Sequence, residues 1–318
     1  MTTLRTTPAG AATTPPLPGA PSLTGRPRPL ETVVRWILRA AAALSVVITI
    51  GIVISLLGPA LAFFREVPVL DFLTGTRWAP QFADKSFGVL PLVTATAWTT
   101  FIALLVAVPF GLGAAIYLAE YARPGVRRTL KPILELLAGV PTVVFGFFAL
   151  SFVAPVLLRG LLGIQVGTFS ILAAGLVMGF MIIPTIASLS EDAMTAVPQA
   201  LRQGSAALGA NRMQTTLRVV LPAALSGIVA AVVLGISRAI GETMIVAIAA
   251  GARPQMVTDP TMEGATMTGF IARMALGDSR IGSLQYNTLF AVGLLLFVLT
   301  LAVNLVAIQL VRRFRQEY

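Results

Sequence analysis

The sequence contains no cysteine and no histidine. That removes thiolate nucleophiles, disulfides, Ser-His-Asp triads, histidine metal sites and histidine proton relays together. Lysine occurs only at Lys85 and Lys131, and neither lies in a G-x-x-x-x-G-K-[ST] loop. The chain therefore has no phosphate-cradling loop of that kind, and any ATP hydrolysis that drives it is supplied by another subunit. Charge is scarce: 11% of the 318 residues are Asp, Glu, Lys or Arg, against about 25% in a soluble domain. With no nucleophile–base or metal constellation, a membrane-embedded enzyme is the least favoured class.

Apolar residues fill the space that charge leaves, at 56% of the chain with a mean hydropathy of +0.87. Lipid is the expected solvent for much of it. A net charge of +10 would raise nucleic-acid binding in a soluble protein. Here the basic residues collect at the ends of apolar runs, where orientation signals belong, so the expected partner is a bilayer and no nucleic acid.

Residues 1–30 read as a disordered tail, with seven prolines from Pro8 to Pro29 scattered among Thr, Ala and Gly and no apolar period. Six apolar runs follow, at about 37–62, 89–118, 133–158, 168–190, 219–250 and 287–311. Each is near or above the ~20 residues needed to cross a bilayer. The class is all-α and polytopic. Ala60-Leu61-Ala62 resembles a signal-peptidase site, but the apolar stretch before it exceeds the ~7–15 residues of a signal h-region, so a retained first span is expected. Pro109, Pro141, Pro184 and Pro222 mark kinks or starts, and Gly175-x-x-x-Gly179 is a helix-contact pattern.

Basic residues set the orientation. One side collects Arg26, Arg28, Arg35 and Arg39, then Arg123, Arg127, Arg128 and Lys131, then Arg202, Arg212 and Arg218, then Arg312, Arg313 and Arg315. The other side has fewer, mostly matched by acids such as Asp71, Asp84, Asp259 and Asp278. Positive-inside logic puts both termini in the cytoplasm.

Arg238-Ala239-Ile240-Gly241-Glu242-Thr243 holds the only charges of the fifth run. An arginine or an acid near mid-helix costs roughly 2.5–3.5 kcal/mol. On an unbroken helix from Pro222, Arg238 would stand about 24 Å from the inner end, with Glu242 about a turn beyond. Residues four apart on a helix face each other, so a local ion pair is one reading. A site for a passing anion is the other, because a guanidinium holds an oxyanion by parallel hydrogen bonds and an adjacent acid can then reclaim it. Glu135, four positions after Lys131, reads as a helix-end salt bridge or as a polar lining of the same pathway. Glu120 reads as interfacial, and Met178, Met181 and Met244 as packing.

The inward loop of about 191–218 is not tail-like. Val197, Leu201 and Leu208 form one helical apolar stripe, Pro198 suits a first turn, and Gly209 suits the position past a helix end. Gly209, Val219, Leu221 and Pro222 reproduce the later part of the EAA loop of ABC-importer permeases. Gln203, Gly204 and Ser205 stand where that loop opens Glu-Ala-Ala, so the acid is replaced by an amide.

The chain after its tail resembles the PstC-type permease subunit of phosphate importers. The resemblance is carried by Phe64-Arg65-Glu66, Phe72-Leu73-Thr74-Gly75, Ser86 to Pro91, Leu130 to Pro141, Ile182-Ile183-Pro184-Thr185, Ser190 to Ala193 and, most diagnostically, Arg238 to Met244. It implies a type I ABC-importer permease in a bacterial cell membrane, with one extra helix ahead of a five-helix core and a permease domain over 31–318. It further implies a PstA-like partner permease, two PstB-like ATPases and a PstS-like phosphate-binding protein. No cofactor is expected on this chain, with ATP and magnesium held by the ATPase. The resemblance makes Arg238 and Glu242 pathway residues, and Glu135 joins them as a candidate polar lining. It makes Leu201, Arg202, Gln203, Gly204, Ser205, Leu208, Gly209 and Arg212 the ATPase-coupling set. A permease of the same architecture for molybdate or sulfate, and a channel or carrier with no ATPase, are the alternatives.

Overall fold

The computed structural model describes residues 29–277 and 280–314. The tail expected over residues 1–30, except for its last two positions, lies outside the described residues, as do Asp278 and Arg315. Within them the regular secondary structure is helical apart from one two-residue strand pair, in which Trp78 of β1 (Trp78–Ala79) lies opposite Phe87 of β2 (Ser86–Phe87).

The first helix, α1 (Pro29–Glu66), crosses a boundary between two compact units at Ile52 and Val53. Its first part is apolar and exposed, and the Arg39 guanidinium stacks over the Trp36 ring at 5.4 Å. Such residues suit lipid contact flanked by an interfacial arginine–aromatic pair. From Val53 onward the chain forms the second unit. There Phe63 at the end of α1 packs edge-on against Phe72 of α2 (Val69–Thr74) and against Phe87. Trp78 joins the same cluster with Phe270.

The centre of the second unit is α6 (Ile171–Thr195) laid along α3 (Leu90–Ile116), which continues as a π-helical turn, Tyr117–Tyr121. Glycine makes that approach possible. A Cβ on Gly175 would lie 2.8 Å from Ile102 Cβ, one on Gly179 2.8 Å from Val106 Cβ, and one on Gly111 2.9 Å from Ile186 Cβ. The expected Gly175–Gly179 contact is thus a helix–helix seam. Met178, Met181 and Ile182 fill the core beside it, so two of the three methionines expected to pack do so, whereas Met244 at the start of the last short helix of the fifth run is exposed.

The third apolar run is not one helix. Proline at 141 has no amide to donate, and the chain breaks at Gly139-Val140-Pro141. The span is α5 (Thr142–Phe148) with its π-helical continuation Ala149–Leu161. Residues 133–138 belong to a separate amphipathic helix, α4 (Pro124–Ala138), which buries none of its residues.

The fifth run is broken twice. After α7 (Gln199–Ala207) come α8 (Arg212–Thr215), a π-helical turn Thr216–Val220 and α9 (Leu221–Ala223). The chain bends by 71° before α10 (Leu225–Gly241). It breaks again at Glu242-Thr243 before α11 (Met244–Ala249). Two helices complete the unit: α12 (Met267–Leu276) and α13 (Leu284–Phe314). Among the described residues five helices are long and apolar enough to cross a membrane, and the bent pair Arg212–Ala223 and Leu225–Gly241 makes a sixth.

Candidate functional site

The second break in the fifth run creates the site. Gly241 ends α10, Glu242 is extended at φ −65° and ψ 131°, and a new helix starts at Met244. Backbone polar groups freed at membrane depth have to find partners inside the protein. Here they do. One oxygen of the Glu242 carboxylate accepts from the amides of Met244 at 3.0 Å and Ile245 at 3.2 Å. The Glu242 carbonyl accepts from the Thr268 hydroxyl at 2.6 Å. Glu242 is thus buried and caps α11, with its charge set against the positive end of a helix.

Because the helix ends between them, Arg238 and Glu242 are not neighbours on one helical face. The local ion pair that their spacing allowed does not form. Arg238 is half-buried in the last turn of α10, and its Nη1 donates to the Thr185 hydroxyl of α6 at 2.8 Å. No described carboxylate pairs with it. The arrangement is a guanidinium held by a neutral hydroxyl beside a break in a spanning helix, with the nearest acid in sequence bound elsewhere. Such a group has hydrogen-bonding capacity for a planar or tetrahedral oxyanion. Near it, the hydroxyl of Ser237 donates to Asn304 of α13 at 3.0 Å, a polar tie between two spans.

Glu135 lies away from this break. It is exposed on α4 and lines an open cavity of about 460 Å³ together with Arg127, Arg128 and Lys131. The Lys131–Glu135 salt bridge expected from spacing is replaced by a tertiary one. Lys131 Nζ donates to Glu191 at 2.6 Å and Asp192 at 2.7 Å, and Arg127 also binds Glu191. Hydrogen bonds to Asp192 and then Glu191 raise the Lys131 pKa above its ordinary 10.5. The charged stripe of α4 therefore faces the end of α6, and its apolar residues Leu130, Ile133 and Leu136 are exposed.

The inward loop divides its eight candidates. Leu201 packs on the cluster of Met194, Val197 and Val220. Leu208 does not share that surface: it follows the last helical residue and is 90% exposed. The expected single stripe of Val197, Leu201 and Leu208 is therefore split, because α7 ends at Ala207 and the chain turns through Gly209 at φ +82°. Gln203 and Gly204 are exposed. Ser205 shares a 2.9 Å hydroxyl contact with Thr215, and the Arg212 guanidinium lies 5.3 Å from the Tyr121 ring. Arg202 turns inward to Glu120 and donates to the Met194 carbonyl at 2.7 Å. Glu120 is buried against Arg202 at the end of the second span, where sequence alone suggested an interfacial acid.

Three residues of this network escaped the sequence reading of function. Glu120 and Glu191 stand at the ends of apolar runs, a weaker signal than the mid-run charge that singled out Arg238. Thr185 carries none, since hydroxyls are common in spanning helices.

Residues 107–316 match the family described as binding-protein-dependent transport system inner membrane component. The chain is 37% identical over 269 residues to the probable ABC transporter permease protein YqgH of Bacillus subtilis, covering 84% of this chain and 86% of that one. It is 36% identical over 281 residues to the phosphate transport system permease protein PstC 1 of Mycobacterium tuberculosis, covering 77% and 82%. Its fold resembles a chain of a bacterial ABC transporter involved in alginate import, at a TM-score of 0.63 and 16% identity, over 91% of this chain and 100% of that one. It also resembles a chain of the inward-facing MetNI methionine ABC transporter, at a TM-score of 0.52 and 23% identity, over 72% and 95%. The expected all-helical ABC-importer permease fold is present, and the chain belongs to the family of inner membrane components of binding-protein-dependent transport systems, as a transport subunit that works with an ATPase and a binding protein.

Proposed function

We propose that this chain is the PstC-type membrane subunit of an ATP-driven importer of inorganic phosphate. The observation that carries the reading is Arg238: a half-buried guanidinium bonded to a hydroxyl and to no described carboxylate, at a break in a spanning helix. Intramembrane charges usually face a bundle interior or an aqueous path. The relative named PstC 1 supports phosphate as the substrate.

In this reading Arg238 receives the anion through charge-assisted hydrogen bonds. Glu242 limits its residence by lowering the positive potential there, since conduction needs binding that is favourable and releasable. Glu135 meets the anion on the inner side, among the cations of α4. A PstA-like permease completes the pathway, a PstS-like protein delivers phosphate from outside, and both termini of this chain lie in the cytoplasm. Two PstB-like ATPases bind and hydrolyse ATP with magnesium, and this chain holds no cofactor of its own. Closure of the ATPase dimer pushes on α7 and turns the permease from inward-open to outward-open.

The test is uptake of labelled phosphate by the reconstituted complex. A charge-assisted hydrogen bond contributes about 1.5–3 kcal/mol, so Arg238→Ala lowers uptake about tenfold to a hundredfold while the complex still assembles. Normal uptake by that variant removes the role of Arg238. Competition by molybdate or sulfate as strong as by phosphate moves the substrate to another oxyanion.

A further inference from the structure

We propose that Arg202 is a positioning residue for coupling: through Glu120 it fastens α7 to the inner end of the second span, so that movement of α7 is delivered directly to α3. The inference rests on the reading of α7 as the segment that a partner ATPase moves.

Arg202 is the only charged residue of α7. On a helix that meets a partner chain, such a group would be expected to point outward. Here it points inward, with side-chain exposures of 15% for Arg202 and 7% for Glu120. Its Nη1 binds the Glu120 carboxylate, its Nη2 donates to the Met194 carbonyl at 2.7 Å, and its Nε is buried without a partner. The guanidinium is therefore committed inside the chain. The outward face of α7, with Gln203, Gly204, Ala206 and Ala207, is uncharged.

The pair adds an ion pair between parts that otherwise meet through the apolar cluster of Leu201 and Ala115. No residue of α7 is fully buried. Ser205 ties it to the segment that follows through Thr215, and Leu201 packs on a cluster that holds Val220, Met194 and Ala115 of α3. Arg202 ties it to a residue 82 positions earlier, in the last turn of the second span. Beyond Glu120 there is little slack. Gly111, Gly175 and Gly179 let α3 and α6 meet backbone to side chain, and a close-packed seam passes on a displacement instead of absorbing it. The other member of that seam, α6, which Arg202 also meets at the Met194 carbonyl, carries Thr185, which holds Arg238. A contiguous path thus runs from α7 through Glu120, α3 and α6 to the pathway guanidinium. Arginine suits its start, because its planar fork reaches the carboxylate and the carbonyl from two separate nitrogens.

The experiment uses the whole transporter in lipid nanodiscs, with cysteine-free partner subunits. This chain has no cysteine, so spin labels attach only at Tyr117→Cys and Ala206→Cys, both exposed positions on either side of the pair. With Glu120 and Arg202 intact, the distance between labels stays narrow and unchanged when a non-hydrolysable ATP analogue is added. In Glu120→Gln it broadens and shifts with nucleotide, while ATPase stays bound and uptake falls about tenfold. The double variant Glu120→Arg with Arg202→Glu narrows the distance again, which separates a lost tie from a misfolded chain. A narrow, nucleotide-independent distance in Glu120→Gln overturns the proposal, and so does loss of bound ATPase in Arg202→Met, which would make Arg202 a partner contact. If the unaltered complex binds ATPase but takes up no phosphate, the substrate reading fails and the label distances still judge the tie.

Discussion

The guanidinium of Arg238 donates to the Thr185 hydroxyl at 2.8 Å, whereas the carboxylate of Glu242, four residues later, accepts from the amides of Met244 and Ile245. Two opposite charges that sequence spacing would pair are held apart by a helix break. One serves the start of a new helix and the other is left with a neutral partner. This separation gives Glu242 two roles, as cap and as counter-charge, and they can be tested separately.

Glu242→Ala leaves one buried and one partly buried amide without an acceptor and is expected to cost about 1–3 kcal/mol of stability. Glu242→Gln keeps an acceptor and removes the charge, costing about 0.5–1 kcal/mol. Thermal unfolding of the purified complex ranks the two. If Glu242 also speeds release, both variants slow uptake at saturating phosphate. Full turnover in Glu242→Gln would leave Glu242 as a cap alone.

The two loop leucines should behave oppositely. Leu201→Ala removes packing against the Val220 cluster and is expected to lower stability by about 1–2 kcal/mol, below the range for a fully buried leucine. Leu208→Asp changes a side chain that is 90% exposed and should leave the melting temperature within experimental error. It should instead reduce the amount of ATPase that co-purifies, because a charge is placed on the exposed apolar end of α7. Unchanged co-purification would take Leu208 out of the coupling set.

The α3–α6 seam predicts a contrast between glycines. A Cβ at Gly175 or Gly179 would meet a neighbour at 2.8 Å, whereas at Gly113 nothing lies within 4 Å. Gly179→Ala is expected to destabilise by about 1–3 kcal/mol through overpacking. Gly113→Ala should be neutral or stabilising by up to about 1 kcal/mol. Thermal unfolding in detergent reads both, and equal effects would argue against a tight seam.

Lys131 gives a pH dependence of defined sign. Its folded pKa is raised above the ordinary 10.5 by bonds to Asp192 and Glu191. The stabilisation is therefore fully present below the unfolded lysine pKa and is lost as pH rises through the higher folded value. Stability should hold between neutral pH and that range and decline above it. Lys131→Met is expected to be less stable at neutral pH, since Glu191 keeps only Arg127 and Thr195, and to show a weaker alkaline decline. Identical alkaline slopes in both proteins would rule out this contribution.

Much of the architecture was legible in the linear chain because lipid imposes a simple rule. A segment that crosses it must be apolar over about twenty residues, so the spans, the seam glycines and the scarcity of charge could be read directly. Arg238 and Glu242 stood out for the same reason: a charge inside an apolar run is costly wherever the chain goes. The breaks were only partly legible: Pro141 and Pro222 mark two of them, whereas nothing marks the one at Glu242-Thr243. Hydropathy is blind to whether Gly139-Val140-Pro141 or Gly241-Glu242-Thr243 interrupts a helix, since apolar residues continue on both sides of each. Partner choice was equally hidden. Lys131 and Glu135 sit one helical turn apart, yet Lys131 binds acids sixty positions away on α6. Arg202 carries a charge suited to a partner protein, yet packing turns it to Glu120. Long flexible side chains reach whatever the fold brings near them, and that neighbourhood exists only once the helices have packed.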